Sequence, residues 1–309
     1  MRFTVQFPLD DAESADTAVD AEQVAEFARV AESSGFDAIG FTEHPAPSAE
    51  WVFGAYGHAS LDPFAALAYC AAVTTRIRLL TYLAVVPYRH PLLTAKAATT
   101  VDRLSNGRLV LGIGAGYLRE EFAVLGTPFE DRTDRFENAV AALVTAWSGA
   151  AVVPTEHGPI ETALRPHPVQ RTGPPLWVGG NSRRSRRIVA RYGGGWAPLL
   201  VDGGLAGELS TAGIGSLTGL RRAVDDLHEL TAAEGRDPAA IDVLVKGSFS
   251  RIRAGAATDE HLDMVGRLAD AGATSVVLHP MAPTRAGLLD VLREYGADVI
   301  SRVRPPARA

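Results

Sequence analysis

The chain has 309 residues, 47% of them hydrophobic and 21% charged, the balance of a globular protein with length for a large core. A formal net charge of −6 and a pI near 5.8 argue against the basic face that nucleic-acid phosphates require. No uninterrupted apolar run approaches the ~20 residues of a membrane span, so neither nucleic acid nor membrane is an expected partner.

The opening MRFTVQFPL carries no leader pattern; Phe3 to Leu9 predicts a first strand. A helix follows from Ala18 to Ser34, with Val19, Val24, Phe27, Ala28 and Ala31 on one side and Gly35 as its stop. Asp37 to Thr42 is strand two, ending in Glu43-His44. The connection over 45–61 carries Trp51, Phe53 and Tyr56 and exceeds the ~2–6 residues of an ordinary βα loop. Asp62-Pro63 then opens a helix holding Cys70, the one cysteine, in the apolar run PFAALAYCAAV. A lone cysteine there is a core residue, and a reducing cytoplasm is the expected compartment.

Arg76 to Leu83 is a third strand, and His90 to Leu104 a helix opened by Pro91 and stopped by Ser105-Asn106-Gly107. Strand four, Arg108 to Ile113, runs into alternating glycines at 112, 114 and 116. These strands are apolar without alternation, the mark of a parallel sheet covered by helices. After a loop from Tyr117 to Glu130 come a helix (Asp131 to Trp147) and a small hairpin (Ala150 to Leu164). Leu176 to Val178 is strand five, ending in Gly179-Gly180-Asn181-Ser182, and a helix runs on to Tyr192. Gly195 to Pro198 is strand six and Leu199 to Ser216 a loop. A helix (Leu217 to Glu234), strand seven (Ile241 to Lys246), a helix (Asp259 to Ala271), strand eight (Ala273 to Leu278) and a closing helix (Thr284 to Val303) complete the chain.

Eight strand-then-helix units predict a (β/α)8 TIM barrel over a single domain, 1–309, with insertions after strands two, four and six. An open doubly wound sheet is the competing architecture; eight regular units favour closure.

In such a barrel the chemistry sits where the strands end. Metal-ligand spacing, a Walker lysine and GxSxG are absent, and the glycine run fails the dinucleotide fingerprint because Tyr117 holds its third glycine position. The turn Gly179 to Ser182 joins a strand to a helix, so N–H groups and the helix dipole favour a phosphate there. Arg183, Arg184, Arg186 and Arg187 crowd the same helix start. A bound anion would explain them, and a solvated basic face is the alternative. His44 ends a buried strand and could exchange a proton beside a redox ring, or be a hydrogen-bonded structural residue. His58, His90 and His279 read as structural. Of Glu120 and Glu121, one is expected in the pocket and one at the surface, and Glu120 is assigned to the pocket. The loops over 45–61 and 199–216 suggest a small substrate of mixed or apolar character.

Four motifs, TEH (Thr42 to His44), TYLAVVPYRHP (Thr81 to Pro91), DRLSNGRLVLGIGAGYLREEF (Asp102 to Phe122) and WVGGNSRRSRR (Trp177 to Arg187), together resemble the bacterial-luciferase-like superfamily. They are most similar to its branch that uses the deazaflavin coenzyme F420. The resemblance implies a barrel, usually homodimeric, with a flavin or deazaflavin across the strand ends. By position, His44 matches a histidine near the reactive ring edge, and Thr81-Tyr82 the site of a non-prolyl cis peptide bulging behind the ring. Ala115, Gly116 and Tyr117 match residues lining the cofactor. Gly179, Gly180, Asn181 and Ser182, followed by Arg183, match its phosphate turn. Ala115 stands where true luciferases place a phosphate-binding arginine, which weakens the FMN luciferase reading. Glu120 stands where sugar-phosphate dehydrogenases of the branch have an amide. The expected activity is an F420-dependent oxidoreductase. The alternatives are an FMN-dependent monooxygenase fed by a separate reductase, and a non-catalytic flavin-binding barrel.

Overall fold

A computed structural model describes residues 1–9, 19–54, 57–155, 158–208, 211–255 and 258–303. Ala18 and Tyr56 lie outside the described residues. In chain order the barrel elements are β1 (Arg2–Gln6), α1 (Ala21–Ser33), β2 (Ala38–Phe41), α2 (Pro63–Val73), β3 (Arg78–Thr81), α3 (Pro91–Leu104), β4 (Leu109–Gly114) and α4 (Arg132–Ser148). The second half holds β5 (Leu176–Gly179), α5 (Arg183–Tyr192), β6 (Gly195–Ala197), α6 (Leu217–Ala233), β7 (Asp242–Val245), α7 (Thr258–Asp270), β8 (Ser275–Pro280) and α8 (Arg285–Tyr295). Every barrel strand pairs in parallel with its sequence neighbour, and β1 pairs with β8 from Arg2↔Ser275 to Val5↔Leu278. The sheet closes on itself as an eight-stranded barrel.

The apolar strands fill both faces. Leu80, Val110, Trp177, Ala197, Leu244 and Val277, one from each of β3 to β8, form their own cluster inside the barrel. Tyr82 and Leu83 pack onto that cluster. Outward residues such as Leu79, Leu111 and Val243 join the larger core beneath the helices. Cys70 is buried there, and burial pushes its thiol up to about 12.

The helix signals resolve into caps. Asp62 and His90 cap α2 and α3 ahead of prolines, and Ser182 and Ser216 cap α5 and α6 with side-chain oxygens. The hairpin pairs Ala150–Thr155 with Gly158–Ala163. Three expectations change. β3 stops at Thr81, and the chain resumes as a short strand, Ala84–Val85, pairing with Ile113 and Gly114 of β4. The loops over 45–61 and 199–216 each hold a short helix, Ala49–Val52 and Gly203–Glu208. The closing helix breaks after Tyr295 into a wide turn, Gly296–Ile300, where Gly296 lies so close to the Ser34 carbonyl that a β-carbon would collide with it. Among the described residues no helix is long and apolar enough to cross a membrane, and no group of three or more His, Cys, Asp or Glu is placed to hold a metal.

Candidate active site

The strand ends carry two contrasting groups of residues. On the β2–β4 side His44 leaves the end of β2, its backbone N–H donating to Ser60 Oγ at 2.9 Å and its carbonyl accepting from the same hydroxyl. Its ring packs on Trp51 (centroids 4.3 Å apart), with His58 at 5.0 Å and Tyr117 at 5.9 Å, both edge-on. Nδ1 faces Glu121 Oε2 at 3.2 Å. Glu121 is fully buried and also accepts from the Tyr88 hydroxyl (2.8 Å) and the Ala46 N–H (3.1 Å). An ionised carboxyl accepts only, so this contact puts the proton of a neutral imidazole on Nδ1 and leaves Nε2 as the basic nitrogen. Nε2 has no hydrogen-bond partner among the described residues.

This corrects the placement of Glu120, which is exposed on the outer side of the short helix Arg119–Val124. Glu121 is the carboxyl that enters the site. A sequence signal existed: Leu118, Glu121, Phe122 and Leu125 follow the spacing of one helical face, which places Glu121 on the apolar side.

Glu43, next to His44, is buried and turns the other way. It accepts from the Val85 N–H at 2.5 Å and pairs with Arg89, holding the segment just past β3. Burial raises its carboxyl above the ordinary range, and Arg89 opposes that shift.

Between these groups β3 ends in a bulge. The non-prolyl cis peptide joins Tyr82 to Leu83, one bond beyond the expected Thr81-Tyr82 pair. Thr81 is buried with its hydroxyl donating to the Gly112 carbonyl at 2.7 Å, so it is a wall residue. Leu83, not singled out in the sequence, packs against the glycines at the strand ends. A β-carbon at Gly179 would collide with its Cδ1, one at Gly112 would collide with the Thr81 carbonyl oxygen and lie 3.0 Å from Leu83 Cδ2, and one at Gly114 would make ordinary contact with Leu83. Gly179 thus admits Leu83, and Gly112 admits the Thr81 carbonyl. Ala115 is part-buried beside them. Gly116, at φ +80°, lies against Phe122 and Val85, with no space for a side chain.

On the β5–β6 side the turn after β5 is held by Asn181 and by the side chains of Trp196, Thr211 and Arg186, which meet its main chain. Gly180 (φ +98°) accepts from Trp196 Nε1 at 2.8 Å. Asn181 is buried; its amide donates to the carbonyls of Leu199 and Ala212 (2.7 Å each) and accepts from the Leu199 N–H at 2.9 Å. Its side chain is therefore a staple for the loop over 199–212. Ser182 caps α5 through the Ser185 N–H at 3.1 Å. Of the arginines, Arg183 and Arg186 share Asp226 of α6, and Arg184 pairs with Asp134 and Glu137 of α4. Carboxylates on neighbouring helices thus account for three of them. Beside this turn opens a cleft of about 690 Å³ lined by Asn181, Arg183, Arg186, Gly213, Ser216 and Arg222. The starts of α5 and α6 both border it, and Arg222 forms no ion pair among the described residues.

A family model described as luciferase-like monooxygenase matches residues 1–273. The chain belongs to that family. Among curated luciferase-like relatives, the phthiodiolone/phenolphthiodiolone dimycocerosates ketoreductase of Mycobacterium tuberculosis is 28% identical over 246 residues, 76% of this chain and 61% of that protein. The F420-dependent hydroxymycolic acid dehydrogenase of the same organism is 29% identical over 59% of this chain and 50% of its own length. The FMNH2-dependent dimethylsulfone monooxygenase of Pseudomonas putida is 26% identical over 71% of this chain and 56% of its own. The matches span only half to three fifths of these relatives. Among solved structures, monooxygenase RslO1 from Streptomyces bottropensis superposes with a TM-score of 0.75 at 20% identity, covering 98% of this chain and all of the other. That likeness is one of fold. Relatives of this luciferase-like chain are thus oxidoreductases and monooxygenases, some named for F420 and some for reduced FMN.

Proposed function

We propose that the protein is a coenzyme F420-dependent oxidoreductase acting on a small organic substrate. The observation that carries the choice of cofactor is the arginine-lined cleft between the starts of α5 and α6. It is large for one phosphate and suits an anionic tail that continues beyond it, as the phosphate-linked glutamates of F420 do. The residues fit such a group along its length. Gly179 to Ser182 and the α5 start would hold the phosphate, Leu83 and Tyr82 would lie behind the ring, and Ala115, Gly116 and Tyr117 would flank it. When bound, the deazaflavin supplies a donor or acceptor of hydride at its C5.

The chain's own residues do the rest. Glu121 fixes the tautomer and direction of His44, Trp51 packs on the imidazole and limits water, and Nε2 exchanges a proton with the substrate. In this reading His44 is the catalytic residue and Glu121 a positioning residue. The protein acts as a homodimer, which light scattering tests. The FMN-dependent monooxygenase stays as the second reading because the Pseudomonas putida relative is named for reduced FMN. It requires a partner reductase and oxygen uptake tied to product.

Titrating the purified apo-protein with F420 and FMN, each oxidised and reduced, decides between them. Tighter binding of F420 is the expected result. Preference for reduced FMN moves the protein to the monooxygenases, and binding of neither overturns both readings.

A further inference from the structure

We infer that the cavity between the start of α7 and the end of α8 is a further ligand site. Its walls suit a small uncharged molecule with an apolar body and one hydroxyl or carbonyl oxygen. The inference stands apart from the cofactor reading, because none of His44, Glu121, Asn181 or Arg222 lines this cavity.

The cavity has a volume of about 350 Å³, within the range of small-molecule pockets. The first turns of α7, the last turns of α8 and the wide turn Gly296–Ile300 enclose it. Its remaining wall is the short strand Arg251–Ile252, which pairs with His279 and Pro280 at the end of β8. Phe249, Ile252, Met264, Val291 and Val299 line it with apolar surface. His261 and Tyr295 line it too, their rings edge-on with centroids 5.3 Å apart. Tyr295 is only 7% exposed, and its hydroxyl has no hydrogen-bond partner among the described residues. His261 Nε2 is shut off from solvent and has none either. A buried polar atom left unpaired costs stability, and here two of them border one space. A bridging water fills only ~30 Å³ of it and leaves the apolar wall uncovered.

The chemistry of the occupant follows from those two groups. A hydroxyl both donates and accepts, so it completes the phenol and either tautomer of His261. A carbonyl completes the phenol and the tautomer with its proton on Nε2. Charge is disfavoured by the surroundings. Burial lowers the pKa of His261 below its ordinary value and raises that of Tyr295, so both inner groups stay neutral. An ion carried inward would lose its water and meet no opposite charge. At the exposed rim Glu260, Glu294 and Asp298 outnumber Arg251 and Arg253, a balance that disfavours anions further.

The test uses two probes with one ring body, 2-naphthol and 2-naphthoate, titrated by calorimetry into wild type, Tyr295→Phe and Met264→Trp. Wild type should bind 2-naphthol saturably, and 2-naphthoate at least about tenfold more weakly. Tyr295→Phe removes only the hydroxyl, so affinity for 2-naphthol should fall about tenfold. The thermal midpoint of the unliganded variant should hold or rise, because an unpaired oxygen leaves the core. Met264→Trp fills the space and should abolish binding; where that variant folds poorly, Tyr295→Phe carries the test. No saturable binding of 2-naphthol, equal affinity in Tyr295→Phe, or 2-naphthoate bound as tightly overturns the proposal. None of these results bears on F420 or FMN at the mouth, so the two readings fail separately.

Discussion

The two ends of the mouth are built from different materials. At the His44 end, side chains meet on one buried carboxyl, Glu121, which holds an imidazole, a phenol and a backbone amide. At the Asn181 end, glycines and helix starts form a turn whose main chain is met by side chains. The Asn181 amide bonds only backbone, Trp196 and Arg186 donate to the Gly180 and Asn181 carbonyls, and Thr211 accepts from the Asn181 N–H. The difference teaches a division of labour. Chemistry needs a defined nitrogen pointing one way, which only side chains can supply. Grip on an anion can come from backbone N–H groups, which few substitutions can remove.

The division breaks most visibly at Glu121. Glu121→Leu strips the acceptor from His44, Tyr88 and Ala46, and turnover should fall about 10²–10⁴-fold, as in His44→Ala. Cofactor affinity should stay within about twofold in His44→Ala. If affinity falls there as far as turnover does, the two ends are not separate. The opposite signature is expected of Asn181→Leu. Losing its three hydrogen bonds should cost about 2–3 kcal/mol in urea unfolding. Freeing the loop over 199–212 should weaken cofactor binding more than it slows the chemical step. Arg222→Ala sharpens the binding end alone: about tenfold weaker F420 binding at low salt, a difference that shrinks in high salt, and an unchanged thermal midpoint. The smallest effect belongs to Glu120→Ala, with stability within about 0.5 kcal/mol and turnover unaltered. A tenfold loss of turnover there would restore Glu120 to the site.

Most of the barrel was legible because buried parallel strands are continuous apolar runs, and glycine, proline and serine mark the helix ends. The chemical end was half legible. His44 stands at a strand end, but choosing between Glu120 and Glu121 needed the phase of a six-residue helix, and the apolar spacing from Leu118 to Leu125 carried that phase. The binding end misled in a different way. The arginines after Ser182 suggested an anion, yet Asp226, Asp134 and Glu137 lie tens of residues away and meet them only after folding. Leu83 escaped for the same reason. A leucine in an apolar strand acquires meaning only when the sheet closes and brings Gly179 to it.

The pairing of β1 with β8 also bears on how the chain is made. Arg2 donates to Thr274 and pairs with Asp242, and β1 finds its second neighbour only at residues 275–278. During synthesis the first strand leaves the ribosome with one edge bare and waits for almost the whole sequence before that edge is covered. The barrel is therefore a slow, long-range closure in which early segments depend on late ones. A nascent chain arrested before residue 275 should present an open sheet to chaperones and proteases, and one released a few residues past Pro280 should not.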